Sequence, residues 1–268
     1  MNRRTCLITG ASAGIGKEFA QLMAQRGYDL ILTARREDRL IEIADNIEKE
    51  WGAKSLIIKE DLAIDGAVDR ILAKIRENNL NVDALINNAG YGLPGTFAST
   101  NWQEQKDFLN VLLNAPTELA HKLVPQMKEN GFGRIINVAS LAGHIPGSAG
   151  HTLYGAVKSY MIKFSQSLNS ELEGSGVNVS ALCPGFTYSE FHDVNHTRDL
   201  VSKMPKYMWQ DARSVVEEGF EAVEDNKAVA VTGFNNKLIA ALFKIMPDFI
   251  AQKIVKARSK DFRHIETK

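Results

Sequence analysis

Short apolar runs alternate along this chain with longer stretches in which apolar residues return every three or four positions. The runs read as strands buried on both faces, the longer stretches as helices with one apolar side. The strands predicted this way are Thr5 to Thr9, Asp29 to Ala34, Lys54 to Lys59, Asp83 to Asn87, Arg134 to Val138, Asn178 to Leu182 and Val229 to Thr232. Helices are predicted between them, at about Ile15 to Arg26, Glu37 to Trp51, Gly66 to Asn78, Gln103 to Lys128, Thr152 to Glu173 and Ser214 to Glu224. This βαβ rhythm predicts an α/β fold, a doubly wound parallel sheet of about seven strands in the Rossmann manner with helices on both faces. No repeat, low-complexity tract or linker breaks the rhythm, so one domain over residues 1–268 is expected.

Composition narrows the chemistry. The chain has 268 residues, 44% of them hydrophobic and 24% charged, enough to bury a full core. Its formal net charge is zero, and the first 230 residues hold no basic run interleaved with aromatics, so neither nucleic acid nor an acidic polymer is indicated as partner. A small molecule fits better. Cys6 and Cys183 both sit in apolar, strand-like stretches and read as reduced, buried thiols. The chain opens MNRRTCLITG, with a strand at once and no hydrophobic leader, and no apolar run is long enough to span a bilayer, so a cytoplasmic protein is expected.

Between the first strand and the first helix stands TGASAGIG, Thr9 to Gly16. Gly10 permits the tight turn, Gly14 lets backbone approach a pyrophosphate and Gly16 lets the helix pack close, while free amides at the helix N-terminus face the anion. The spacing is Gly-x-x-x-Gly-x-Gly. At the tip of the second strand, where a carboxylate would select an unphosphorylated ribose, the chain reads LILTARREDRL and presents Arg35 and Arg36. Guanidinium groups grip phosphate through paired hydrogen bonds, so NADP(H) is expected in preference to NAD(H). Ala13 offers no second basic group, and selectivity is expected to rest on Arg35, with Arg36 stacking or screening.

The stretch SLAGHIPGSAGHTLYGAVK, Ser140 to Lys158, ends in a tyrosine and a lysine one helical turn apart, which puts Tyr154 and Lys158 on one face. A phenol with its ordinary pKa of about 10 is ionised in only about one molecule in a thousand at neutral pH. Each unit by which a neighbouring ammonium lowers that value is worth about 1.4 kcal/mol, so a drop of two or three brings the group into working range. Tyr154 is then the acid or base and Lys158 its tuner. Ser140 follows an apolar strand, at a loop where its hydroxyl could face the phenol.

Taken in order, TGASAGIG, Asp61, NNAG at Asn87 to Gly90, Asn114, Ser140, Tyr154 with Lys158, and Pro184 with Gly185 resemble the classical short-chain dehydrogenases/reductases. The resemblance covers roughly Thr5 to Ser189. It implies carbonyl–alcohol interconversion by hydride transfer, with Asn114, Ser140, Tyr154 and Lys158 catalytic and Asn114 joining the proton relay by holding water beside the lysine. It implies that Gly10, Ser12, Ala13, Gly14, Ile15 and Gly16 cradle the pyrophosphate and that Asp61, beside Leu62, holds the adenine amino group. Asn88, Ala89 and Gly90 would line the ribose, Lys158 would also bind it, and Asn87 would brace the sheet. Pro184 and Gly185 would line the cofactor, and the hydroxyls of Thr187 and Ser189 could hold the nicotinamide carboxamide. Ser140 stands one residue further from Tyr154 than is usual in the family, a difference that the glycine-rich loop Gly143 to Gly150 can absorb; Ser148 is the alternative donor. Homodimers or homotetramers, built through the two long helices, are the family's habit.

Downstream the signals thin. Residues 186–213 carry Met204, Tyr207, Met208 and Trp209 among polar residues and read either as an apolar lid over a hydrophobic carbonyl or alcohol substrate or as packing onto the core. His144, His151, His192 and His196 have no partners at metal-ligand spacing, and no metal is expected. The tail from Lys237 runs LIAALFKIM, then Pro247 and FIAQKIVKAR, with Lys253, Lys256, Arg258, Lys260 and Arg263 making its end basic. Packing over the pocket or between subunits, peripheral docking on an anionic membrane and recruitment of a protein partner compete for it. Two functional classes also compete: an NADP(H)-dependent oxidoreductase and a catalytically silent sensor of the dinucleotide. Reduction of a carbon–carbon double bond is a distant third.

Overall fold

A computed structural model of the chain describes residues 3–93, 95–188 and 205–258. Seven parallel strands form the main sheet: β1 (Arg4–Thr9), β2 (Tyr28–Ala34), β3 (Ser55–Lys59), β4 (Ala84–Asn87), β5 (Gly133–Val138), β6 (Val177–Cys183) and β9 (Val229–Val231), in the order β3-β2-β1-β4-β5-β6-β9. β7 (Phe186–Thr187) and β8 (Trp209–Gln210) form a separate parallel pair, which no hydrophobic alternation announces. The helices are α1 (Gly14–Gln25), α2 (Glu37–Trp51), α3 (Ala67–Glu77), α4 (Trp102–Leu109), α5 (Ala115–Glu129), α6 (Thr152–Glu171), α7 (Ala212–Glu224), α8 (Phe234–Ile245) and α9 (Asp248–Arg258).

Side-chain alternation along each strand divides the core between the two faces of the sheet. Leu7, Ile31, Leu85 and Ile135 point to one face and pack with Ile71 of α3, Leu119 of α5 and Met161 of α6. Cys6, Ile8, Leu30, Leu32 and Ile86 point to the other, against Phe19 of α1, Ile43 of α2 and Val215 of α7. With both faces covered, the strands need no polar side, which is why they read as continuous apolar runs.

Strand order reverses between β1 and β4, whose neighbours lead away in opposite directions. The crevice beyond the carboxyl ends of those two strands is where a doubly wound sheet receives a ligand. The glycine-rich turn after β1 and the Asn88–Ala89 segment after β4 both open there.

The predicted helix Gln103 to Lys128 is interrupted. A π-helical turn, Asn110–Asn114, separates α4 from α5. Pro116 has no N–H to give to the Leu112 carbonyl four residues back, so the regular ladder fails there and a wider turn is accommodated. The Thr117 hydroxyl closes the next step by donating to the Leu113 carbonyl at 2.6 Å.

Candidate active site

The turn between β1 and α1 needs its glycines for stated reasons. Gly10 has φ +65°, and a Cβ on it would stand 2.8 Å from the Ala89 Cα. A Cβ on Gly16 would run into the Gly10 carbonyl oxygen and the Asn88 amide. Asn88 fastens this turn to the end of β4, donating through Nδ2 to the carbonyls of Thr9 and Gly10 at 3.0 and 3.1 Å. The Thr9 hydroxyl accepts in return from the backbone N–H groups of Asn88 and Ala89. Ala13 caps α1 with no side-chain hydrogen bond, so its first amides carry no side-chain acceptor. Amides without a cap, at a helix start with no side chain in the way, fit a pyrophosphate.

The two arginines divide their work differently from the sequence expectation. Arg36 lies over the glycine-rich turn, with Nε and Nη2 donating to the Ser12 hydroxyl at 3.3 and 3.1 Å. The Arg35 side chain is 70% exposed and reaches Asp61 Oδ2 at 4.0 Å. Arg36 is therefore built into the cradle while Arg35 stands at its rim. Asp61 Oδ1 accepts from the Ala63 N–H at 3.0 Å, closing a turn after β3, so one carboxylate oxygen has a structural task. Leu62 is buried behind it.

On the other side of the crevice, β5 ends at Val138 and Ser140 begins a short 3-10 turn, Leu141–Gly143. Its Oγ accepts from the Ala142 N–H at 3.1 Å, which leaves the hydroxyl proton to give. This turn presses onto α6. A Cβ on Gly143 would meet the Lys158 backbone at 2.7 Å, and the Ser159 hydroxyl donates to the Gly143 carbonyl at 2.8 Å. The loop carrying Ser140 is thereby set against the helix that carries Tyr154 and Lys158. Ser148, the alternative donor, is engaged with His151 Nδ1 at 3.1 Å.

Tyr154 and Lys158 share a face of α6, with Nζ 5.6 Å from the centre of the phenol ring. Nζ also donates to the Val138 carbonyl at 2.7 Å, which fixes its position at the sheet edge. Burial pulls the Lys158 ammonium down to about 8. Such an amine takes up and releases protons near neutrality. Cys183 lies close enough to feel that charge; burial nevertheless pushes its thiol up to about 12 and keeps it inert.

Asn114 does not join this group. It is exposed, and its Nδ2 donates to Asn110 Oδ1 at 2.9 Å, while Asn110 in turn donates to the Ala63 carbonyl and to Asp65. The small cavity beside Lys158 is lined instead by Val111, Leu112 and Pro116 from this segment. Thr9 of β1 and Asn87 of β4 bring polar groups to this cavity. Asn87 donates through Nδ2 to Asn137 Oδ1 at 2.8 Å and to the Pro116 carbonyl at 3.2 Å, whereas its buried Oδ1 has no partner. Asn137 continues the chain to Ser165 on α6 at 2.9 Å. Asn87 thus braces the sheet, as expected, and also presents an acceptor beside the lysine.

After β6 the Pro184 carbonyl accepts from the Leu141 N–H at 2.9 Å, tying this strand end to the Ser140 turn. Gly185 packs against the Asn236 amide, and the buried Thr187 hydroxyl donates to the Gly185 carbonyl at 3.3 Å. Ser189, and the part of the lid segment from 189 to 204, lie outside the described residues. So do His192 and His196. Among the described residues no group of three or more His, Cys, Asp or Glu side chains could hold a metal. The crevice against Tyr154 is walled by Leu93, Phe97, Phe108 and Leu153, with Thr96, Thr100, Gln105, His151 and Thr152 as polar members. These crevice residues lie before α4 and within it and just before and at the start of α6, and sequence reading, which looked to 186–213, missed them. The signal available was the apolar content of YGLPGTF directly after NNAG.

The short chain dehydrogenase family model matches residues 4–199. Ketoacyl reductase HetN of Nostoc sp. is 32% identical over 244 residues, 91% of this chain and 83% of the relative. The NADP-dependent 3-hydroxy acid dehydrogenase YdfG of Escherichia coli K12 is 35% identical over 198 residues, covering 72% of this chain and 77% of the relative. Among solved structures, a short-chain dehydrogenase from Sphingobium yanoikuyae in complex with NADPH superposes with a TM-score of 0.79 at 28% identity, covering 99% of this chain and 98% of the other. With a nucleotide cradle after β1 and a Tyr–Lys pair on α6, this chain belongs to the short chain dehydrogenase family.

Proposed function

We propose that this chain is an NADP(H)-dependent oxidoreductase that interconverts a hydrophobic ketone or aldehyde and the corresponding alcohol, with Tyr154 as the proton-transferring group. The observation that carries the reading is the placement of Lys158: one turn from Tyr154, anchored at the sheet edge and held down to about 8. A nicotinamide dinucleotide, when bound, supplies or accepts the hydride. Everything else falls to the chain's own side chains.

In the reducing direction Tyr154 donates its proton to the substrate oxygen while Ser140 hydrogen-bonds the same atom, where fixed donors contribute most to lowering the barrier. Lys158 lowers the phenol's proton affinity through its charge and takes part in returning the proton. In this chain the amide beside the lysine belongs to Asn87, whose unpaired Oδ1 suits a water bridging to Nζ in the role expected of Asn114. The phosphorylated cofactor is favoured by Arg36 on Ser12 and Arg35 at the rim, and the naming of the Escherichia coli relative and the NADPH complex of the structural neighbour are in keeping with it. An apolar crevice against Tyr154 favours an apolar carbonyl compound. The test is NADPH oxidation with a panel of ketones and aldehydes. A protein that binds NADPH yet stays silent with every member would favour a dinucleotide sensor.

A further inference from the structure

Among the described residues, the C-terminal helices carry an apolar face that is exposed. On α8, Phe234 is 79% exposed, Leu238 51%, Leu242 46% and Ile245 80%, and Phe249 at the start of α9 is 74% exposed. At about 100° per residue the four α8 positions form a single stripe, while Asn236 and Ala240 face the protein. Lys244 stands at one border of that stripe and α9 adds Lys253 and Lys256, while Lys237 on the same border is paired with Glu218 Oε2 at 2.8 Å. From 234 to 258 the chain holds five basic residues and one acidic residue, Asp248, within a sequence whose formal net charge is zero. The positive charge is thus gathered where the apolar surface is.

From these observations we propose that α8 and α9 dock on an anionic lipid surface, the apolar stripe entering the headgroup boundary and the lysines meeting the lipid charge. The combination of a large apolar face with bordering lysines is what such helices require. A second copy of this chain is a poorer occupant, because a two-fold contact through the stripe would bring the basic residues of two copies, Lys244 among them, together as water is excluded. Position supports the reading as well. Asn236 touches Gly185 and Asn235 donates to the carbonyl of Tyr207, itself 71% exposed, so an exposed aromatic residue adjoins the start of the stripe and extends its apolar surface.

The test is flotation of the full chain with vesicles of phosphatidylcholine alone and of phosphatidylcholine with phosphatidylglycerol, at low salt. About fivefold more protein should float with the anionic vesicles, and salt should reduce the excess. Leu242→Glu/Ile245→Glu should abolish it, and Lys244→Glu, a surface change that leaves the apolar stripe intact, should weaken it. NADPH binding and the far-ultraviolet spectrum should stay unchanged in all three proteins. Equal, low recovery of the wild type with both vesicle types would overturn the proposal. So would a wild-type dimer that stays in the dense fraction and is converted to monomer by Leu242→Glu/Ile245→Glu, since the stripe would then be an interface between copies.

Discussion

Lys158 Nζ stands 5.6 Å from the centre of the Tyr154 ring and is held there by a 2.7 Å hydrogen bond to the Val138 carbonyl. The cation is therefore located by the sheet and the phenol by the helix. Their separation does not depend on a mobile loop.

Because burial lowers the Lys158 ammonium to about 8, the rate should follow its charge. Loss of that charge weakens Tyr154 as an acid, so kcat for carbonyl reduction should fall as pH rises through about 8. Stability should move the other way. The folded-state value lies below the ordinary 10.5, so between about 8 and 10.5 the unfolded chain binds the extra proton and stability rises with pH. The full span is about 3 kcal/mol, an upper figure for the cofactor-free protein, and Lys158→Met should remove it. Denaturant titrations at pH 7.5 and 10 check the sign.

Arg36→Ser should raise the KM for NADPH about tenfold, equivalent to about 1.4 kcal/mol, and leave the KM for NADH nearly unchanged. Arg35→Ser should do less, because its side chain is mostly exposed and screened. Wild-type NADPH efficiency should exceed that with NADH at least about tenfold. Equal use of the two would remove the reason for assigning the phosphorylated cofactor.

Asn114→Ala should keep kcat within about twofold of wild type, since a surface change away from the reacting groups costs little. Asn87→Ala should lower kcat and shift the pH profile. The profile separates a role beside Lys158 from simple loss of the brace to Asn137.

Gly16→Ala should abolish NADPH binding and destabilise the protein by about 1–3 kcal/mol, because the new methyl group runs into the backbone of Gly10. Dye-monitored melting with and without NADPH measures both effects.

The sheet was readable because a strand buried on both faces must be apolar throughout, as in Cys6 to Ile8, and because Gly10 and Gly16 answer to backbone crowding that no other residue tolerates. The pair Tyr154 and Lys158 was readable because one helical turn fixes which side chains meet. Asn114 falls away from the lysine for the same reason in reverse: the π turn shifts the register of the helix, and the residues of this segment that line the cavity beside the lysine are Val111, Leu112 and Pro116, apolar side chains with no chemical signature. Adjacent residues at a strand tip diverge, so the sequence of Arg35 and Arg36 could not tell which one would fold back onto Ser12. The pair of strands Phe186–Thr187 and Trp209–Gln210 is too short for any alternation to show.

The central claim is most directly tested by comparing wild type and Tyr154→Phe for NADPH oxidation with apolar ketones and for NADPH affinity by fluorescence. The account predicts turnover in the wild type, none measurable in the variant and similar affinity in both. A variant that still turns over, or a wild type that binds NADPH and reduces no member of the panel, would contradict it.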